Sequence, residues 1–320
     1  MFLFHAIYPD SAFLLHCLNS LKHKDISLWK FLPDKGLQVG VEEVLATSSA
    51  SFHCNVSLPP DQWLHFDLPN PPVPSFGLRL EPLLHSLSLL SIAPKASKPS
   101  PLDMSLELDH GALTLVLRGK GGSKAMHTCR LPALLTDPTS LPSTTTTTTS
   151  SSPSSPSLIE HPSSQLPEPR FLSMVQQRAL MKSRWLTEAI MEVLEEGELT
   201  SITMQDGQDH QPFLRVASEG IYGSVVVECK RDMDVVMSLH CPTPSTFRYR
   251  TSHLERTLYA LSLSTTCSMS RDPEGRMVLQ VMIPREDGQT AFIDYSLLPV
   301  TPEDTSLLIT TDSTAPSLPH

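Results

Sequence analysis

Residues 252–299 read SHLERTLYALSLSTTCSMSRDPEGRMVLQVMIPREDGQTAFIDYSLLP. Leu254, Leu258 and Leu261 recur at helical spacing, so the segment opens as a short helix with one apolar face. Cys267–Ser270, Met277–Ile283 and Ala291–Leu297 then read as three successive strands. Pro273–Gly275 and Glu286-Asp-Gly288 supply the turns between them. Just before the helix, FRYR (247–250) reads as a strand that runs into it without a loop.

The same order recurs upstream. FGLRLEPLLHSLSLLSI (76–92) is a strand running into a helix with Leu83, Leu84, Leu87 and Leu90 on one face, followed by strands at Met104–Leu108, Leu113–Leu117 and Met126–Leu131. Asp109-His-Gly111 reads as the turn of a hairpin. The chain opens with a strand at Phe2–Ile7, a cap at Asp10 or Ser11, and Phe13, Leu14, Cys17, Leu18 and Leu21 on a helix. Ser27–Phe31, Leu37–Val41 and Ser51–Val56 follow as strands. The later half matches: a strand at Arg170–Val175, a helix with Trp185, Leu186, Ala189, Ile190, Val193 and Leu194, then strands at Ser201–Met204, Phe213–Ala217 and Ser224–Cys229. A helix followed by a run of strands therefore occurs four times, which predicts an α+β fold of two similar halves with mostly antiparallel strands.

Between the halves, residues 139–157 (TSLPSTTTTTTSSSPSSPS) are Ser, Thr or Pro at every position but one. Such a segment has too little apolar surface to offset its ordering entropy. The expected division is a first domain at 1–137, a linker at 138–165, a second domain at 166–300 and a tail at 301–320. The 320 residues carry 24 Lys and Arg against 34 Asp and Glu, a net charge of −10. A polybasic nucleic-acid binder is excluded, and any contact with nucleic acid must come from a local basic face. Apolar runs are too short to cross a membrane, and the N-terminus lacks the basic flank of a signal peptide. The six cysteines form no C-x-x-C pair and read as free buried thiols in a reducing compartment.

The 252–299 segment resembles the C-terminal end of DNA sliding clamps, and most closely the Rad-one subunit family of the nine-one-one checkpoint clamp. The resemblance rests on the helix ending near Leu263, Gln280 and Met282 in a strand, Glu286-Asp-Gly-Gln289, and Phe292, Tyr295 and Pro299. Gly36-Leu-Gln-Val39 with Glu42, and LLHSLSLLSI, agree more weakly with the family's first domain. The resemblance implies a fold like that of proliferating cell nuclear antigen, with helices facing the hole of a ring and strands on its rim. It implies a nuclear, non-catalytic subunit of a heterotrimer placed on double-stranded DNA by a clamp loader, recruiting checkpoint and repair clients. No cofactor, metal or membrane partner is expected.

On that reading Lys22, Lys24, His85, Arg178, Lys182, Arg184 and Arg256 face DNA, with Arg79, Lys95, Lys98, Arg248 and Arg250 nearby. Each also fits a simpler role, since a cation at a helix end offsets the helix dipole. Glu188, Glu192, Glu195 and Glu196 on the third helix oppose the expectation, because carboxylates facing the hole repel phosphate. The family resemblance makes Met126, Thr128, Val225 and Val227 members of the edge strands that meet neighbouring subunits. It also makes Leu131, Pro132, Leu134, Leu298 and Pro299 the walls of a client pocket, positions that interdomain packing equally explains. Ser152-Pro153, Ser155-Pro156 and Ser164-Gln165 are candidate phosphorylation sites. A metal-dependent 3′–5′ exonuclease is the competing function, with Asp206, Asp209 and His210 as the nearest cluster of ligands. Asp232 and Asp234 read as an exposed loop. A homotrimeric replication processivity clamp is a third reading.

Overall fold

The computed structural model describes residues 2–44, 51–68, 75–91, 100–109, 112–120, 126–135, 175–206, 213–221, 223–230 and 234–301. The first half runs β1 (Phe2–Tyr8), α1 (Ser11–Asn19), β2 (Ile26–Leu32), β3 (Gly36–Val44), β4 (Ser51–Leu58), β5 (His65–Asp67), β6 (Phe76–Arg79), α2 (Leu80–Leu90), β7 (Leu102–Asp109), β8 (Ala112–Lys120) and β9 (Met126–Leu135). A 3-10 turn, Pro60–Gln62, precedes β5. The second half runs β10 (Gln177–Lys182), α3 (Ser183–Val193), β11 (Leu199–Met204), β12 (Leu214–Glu219), β13 (Ser224–Cys229), β14 (Val236–His240), β15 (Ser245–Arg250), α4 (Thr251–Glu255), α5 (Leu258–Leu263), β16 (Thr266–Arg271), β17 (Met277–Pro284) and β18 (Thr290–Leu297).

Local chemistry fixes the helix starts. The Asp10 carboxylate accepts from the amides of Ala12 and Phe13 at 3.0 Å each, satisfying two orphan donors of α1. The helices that follow directly on strands have no side-chain cap. A neighbouring backbone replaces it: Leu80 N–H donates to the Asp25 carbonyl, Ser183 N–H to Thr265 and Thr251 N–H to Glu198, at 2.8, 3.0 and 2.8 Å. The strand-to-helix junction is thereby fixed by tertiary contact, which is why no capping signature marks it in the sequence.

The pairings repeat with one exception, the contact of β6 with β9 at Phe76↔Leu135 and Gly77↔Leu134, for which the described residues of the second half show no β15–β18 counterpart. β1 pairs with β5 and β7, β7 with β8, β8 with β9, β2 with β3 and β6, and β3 with β4. Nine strands later, β10 pairs with β14 and β16, β16 with β17, β17 with β18, β11 with β12 and β15, and β12 with β13. All are antiparallel. The two halves join where β18 pairs with β4, from Phe292↔Ser57 to Leu297↔Phe52. This seam fuses strands of both halves into one 14-stranded sheet beside a separate four-stranded sheet, β13-β12-β11-β15. Inward-facing Leu279, Val281, Ile293 and Tyr295 alternate with half-exposed neighbours, as period-two strands require.

Three sequence expectations change. The strand expected at Arg170–Val175 lies instead at Gln177–Lys182, where Gln177, Ala179 and Met181 alternate inward; residues 170–174 fall outside the described residues. Two strands went unread, β5 and β14, which hold the same place in each half. The last helix is broken into α4 and α5, because Thr257 is buried and both its hydroxyl and its amide bond the Leu254 carbonyl, at 2.7 and 3.0 Å. The turn before β3 needs a glycine: Gly36 has φ +73, and a Cβ there would lie 2.1 Å from the Leu58 carbonyl oxygen. The linker 138–165 with its Ser-Pro and Ser-Gln sites, Lys95, Lys98 and the tail beyond Thr301 lie outside the described residues.

All six cysteines are free, five of them buried. Burial pushes the Cys17 and Cys267 thiols up to about 12, so both stay neutral and inert. Among the described residues no helix is long and apolar enough to cross a membrane.

Candidate functional site

The helices pack in pairs, α1 on α2 and α3 on α4 and α5. The pairs meet where His16 Nδ1 lies 3.3 Å from the Tyr259 hydroxyl, so the order across this layer is α2, α1, α5, α3. Each helix buries its apolar stripe and turns a polar face outward. Lys22, just past α1, and His85 on α2 are both exposed, and with Lys24 they line one cleft of about 730 Å³ between the two helices. The structure thus brings together three of the residues expected to face DNA.

The other expected cations are placed differently. Arg178 is exposed on β10, its Nε donating to Ser268 Oγ at 3.3 Å. Lys182 pairs with Asp234 at 2.7 Å, and Arg184 with Glu188 at 2.8 Å, one turn along α3. Both pairs are well exposed, and such pairs contribute about 0–1 kcal/mol, so either cation can exchange its carboxylate for another anion. Arg256 is a correction. Its guanidinium turns away from the outer helix face, ion-pairs with Glu43 on β3 and lies over the Phe52 ring, 5.4 Å from the centroid. Lys24 shares the same carboxylate at 3.6 Å. Burial lowers the Arg256 pKa, and the Glu43 carboxylate offsets part of the cost of enclosing that charge. The sequence carried no sign of this partner, because Glu43 comes from the other half.

That seam gathers more titratable groups. His23 and His253 flank Phe52, with ring centroids 5.0 and 5.3 Å from it. Burial, then the Arg256 charge, lowers His23 to about 4; burial, then Arg250 and Lys24, lowers His253 to about 4. Both rings are therefore neutral at pH 7, part of the packing rather than anion ligands. His253 is buried although it lies on the same short segment as Arg256.

The expected edge residues lie on strands whose outer edges pair with no other strand among the described residues. β13 ends the four-stranded sheet, with Val225 and Val227 half-buried and Val226 43% exposed. β9 pairs with β8 from Met126 to Ala133 and meets β6 only at Leu134 and Leu135, so Met126 and Thr128 sit where its second edge has no strand. Met126 is 62% exposed.

The expected pocket does not assemble. Leu131, Pro132 and Leu134 are on β9, whereas Leu298 and Pro299 follow β18, and β4, β3, β2 and β6 lie between them in the sheet. Five spacings of about 4.8 Å separate the two groups by roughly 24 Å along the sheet. Of the ligands named for the competing nuclease reading, Asp209 and His210 fall outside the described residues, as does Asp232 of the loop read as exposed. Among the described residues no group of three His, Cys, Asp or Glu could hold a metal ion.

Comparison with known proteins gives the following. The family model "Repair protein Rad1/Rec1/Rad17" matches residues 12–283. The cell cycle checkpoint protein RAD1 of Mus musculus is 32% identical over 125 residues, 39% of this chain and 44% of that protein. RAD1 of Homo sapiens is 33% identical over 122 residues, 38% of this chain and 42% of that protein. The DNA damage checkpoint control protein rad1 of Schizosaccharomyces pombe is 24% identical over 131 residues, 41% of this chain and 40% of that protein. The aligned stretch spans less than half the length of each relative. Among solved structures, the PCNA2–PCNA3 complex from Sulfolobus tokodaii matches with a TM-score of 0.61 and 14% identity, covering 92% of this chain and 98% of that chain. At that identity the likeness concerns the fold, an α+β pair of similar clamp domains.

Proposed function

The chain belongs to the Rad1/Rec1/Rad17 family of repair proteins, and from that premise we propose that it is a non-catalytic subunit of a three-part clamp that encircles duplex DNA. On this reading residues 1–137 and 166–300 are the two clamp domains, 138–165 their connector and 301–320 a tail. The subunit acts in the nucleus, is loaded with two other clamp subunits, and offers its rim to checkpoint and repair proteins.

The observation that carries the reading is the seam. Inside the chain, the fourth strand of the first half pairs with the ninth strand of the second, β4 with β18. Among the described residues the repeat leaves the complementary edges unpaired: β9, ninth of the first half, and β13, fourth of the second. A neighbour built the same way can add its fourth strand to β9, and another its ninth strand to β13. Because the two edges differ, the contact is head-to-tail, and head-to-tail contacts that close make rings.

The test is the native mass of the assembly recovered on this chain. One copy with one copy each of two other clamp-sized proteins, retained on nicked circular DNA, supports the reading. A trimer of this chain alone transfers the function to a processivity clamp. A monomer with no clamp-sized partner overturns it.

A further inference from the structure

Because the halves repeat, the cleft between α1 and α2 and the cleft between α3 and α4 occupy equivalent places. Their charge balance differs: the first matches its cations with carboxylates, and the second has carboxylates in excess. The first, about 730 Å³, is lined by Lys22, Lys24 and His85, together with Asp25 and Glu81. The second, about 620 Å³, is lined by Glu195, Glu196, Glu198 and Glu255, with Arg250. The contrast continues along the outer helix faces. On α1 and α2 the exposed titratable positions are His16, Glu81 and His85, with Lys22 just beyond α1. On α3 they are Arg184, Glu188 and Glu192, with Glu195 just beyond, and Glu188 already occupies Arg184 at 2.8 Å.

This inference rests on the ring reading above and narrows it. We propose that duplex phosphates bear on the first-domain cleft, at Lys22 and His85, while Glu192 and Glu195 hold the duplex away from the second domain, so that DNA lies off-centre across this subunit. Glu192 and Glu195 are within one helical turn of each other, about 5.4 Å of rise. The screening length at physiological ionic strength is about 8 Å. A phosphate close enough to touch α3 therefore meets both carboxylates essentially unscreened. In the first cleft Lys22 and Lys24 match Asp25 and Glu81 in number and His85 adds a further donor, so a phosphate there meets no excess of carboxylate.

The experiment uses the full chain assembled with its partner subunits, loaded on nicked circular DNA that is then linearised, with retention before run-off from the ends followed against salt. Lys22→Glu with His85→Glu is expected to shorten retention several-fold and to flatten the salt dependence by about 0.9 in log–log slope for each phosphate contact removed. Glu192→Lys with Glu195→Lys is expected to lengthen retention and steepen that slope. As an independent readout, photo-reactive benzoylphenylalanine at position 85 should crosslink to DNA and at position 191 should not. Unchanged retention in the first pair, or equal crosslinking from both positions, overturns the off-centre placement while the ring reading stands. A wild-type assembly that leaves circular DNA as fast as linear DNA overturns the ring reading itself.

Discussion

Arg285 of the second half reaches into the core of the first, where its Nη1 donates to the Tyr8 hydroxyl at 3.2 Å. The guanidinium also lies over the Tyr8 and Phe13 rings, 5.6 and 5.9 Å from their centroids, and pairs with Asp287 on its own hairpin. A charge this enclosed is tolerated because its donors are engaged and its faces meet aromatic rings.

Arg285→Ala should therefore lower the unfolding free energy by about 2–4 kcal/mol, and Tyr8→Phe by about 1 kcal/mol. The double variant should cost less than the sum, since both changes remove one interaction. Urea denaturation of the four proteins measures the coupling; strict additivity would show that the two residues act independently.

Glu43 compensates both Lys24 and Arg256 at the seam. Glu43→Gln keeps the shape and deletes the charge, leaving two cations facing each other. A loss of about 1–3 kcal/mol is expected. Replacing Lys24 with Met in the Gln variant should recover part of it, a comparison that thermal unfolding of the two proteins reads directly.

Gly275 lies in the turn between β16 and β17 with φ +87, and a Cβ there would sit 2.2 Å from the Phe247 ring. Its carbonyl accepts from the buried Tyr249 hydroxyl at 2.6 Å. Gly275→Ala combines strain with displacement of an aromatic ring and should cost about 1–3 kcal/mol. The companion Gly288→Ala, with φ +86 but open space around it, should cost about 1 kcal/mol. Equal losses in denaturation would count against the steric account.

Stability should fall as pH drops below about 6.5. His23 and His253 have folded pKa values near 4, below their ordinary 6.5, so the unfolded chain binds more protons between those limits. The stabilisation is fully present above 6.5, declines as pH falls toward 4, and changes no further below that. Each ring contributes at most about 1.4 kcal/mol per pH unit within the window. Urea midpoints at pH 7.5, 6 and 5 for the wild type and for His253→Phe measure it; the variant should show the shallower decline.

On the ring reading, the exposed Val226 on β13 and Met126 on β9 mark the contact strands. Val226→Asp and Met126→Asp should each weaken association with the neighbouring subunit on that side. As surface changes they should alter unfolding free energy by no more than about 0.5 kcal/mol. Native mass of the co-expressed proteins, set beside a melting curve of the isolated chain, separates the two effects.

Much of the fold was legible because its signals are local. Asp10 followed by Phe13, Leu14, Cys17 and Leu18 marks a capped helix, and the alternation of Met277–Ile283 marks a strand. β5 and β14 were not legible: His65-Phe66-Asp67 is too short to show a period, and β14 has no residue that is fully buried. The site was less readable than the fold. Lys22 and His85 fall on one cleft because α1 packs on α2, which helical spacing permits one to expect. Arg256 could not be placed, since its partner Glu43 arrives through the β4–β18 pairing. The pocket failed for the same reason: chain order says nothing about the four strands that the sheet inserts between Leu134 and Leu298.

The seam between β4 and β18 has a mechanical consequence. Six residue pairs of ladder, Phe292↔Ser57 to Leu297↔Phe52, run across the middle of the chain. Bending the subunit there would shear those hydrogen bonds together rather than peel them one at a time. The β4–β18 ladder therefore stiffens the centre of the chain, and on the ring reading an assembly built from it should yield first at the joints between subunits.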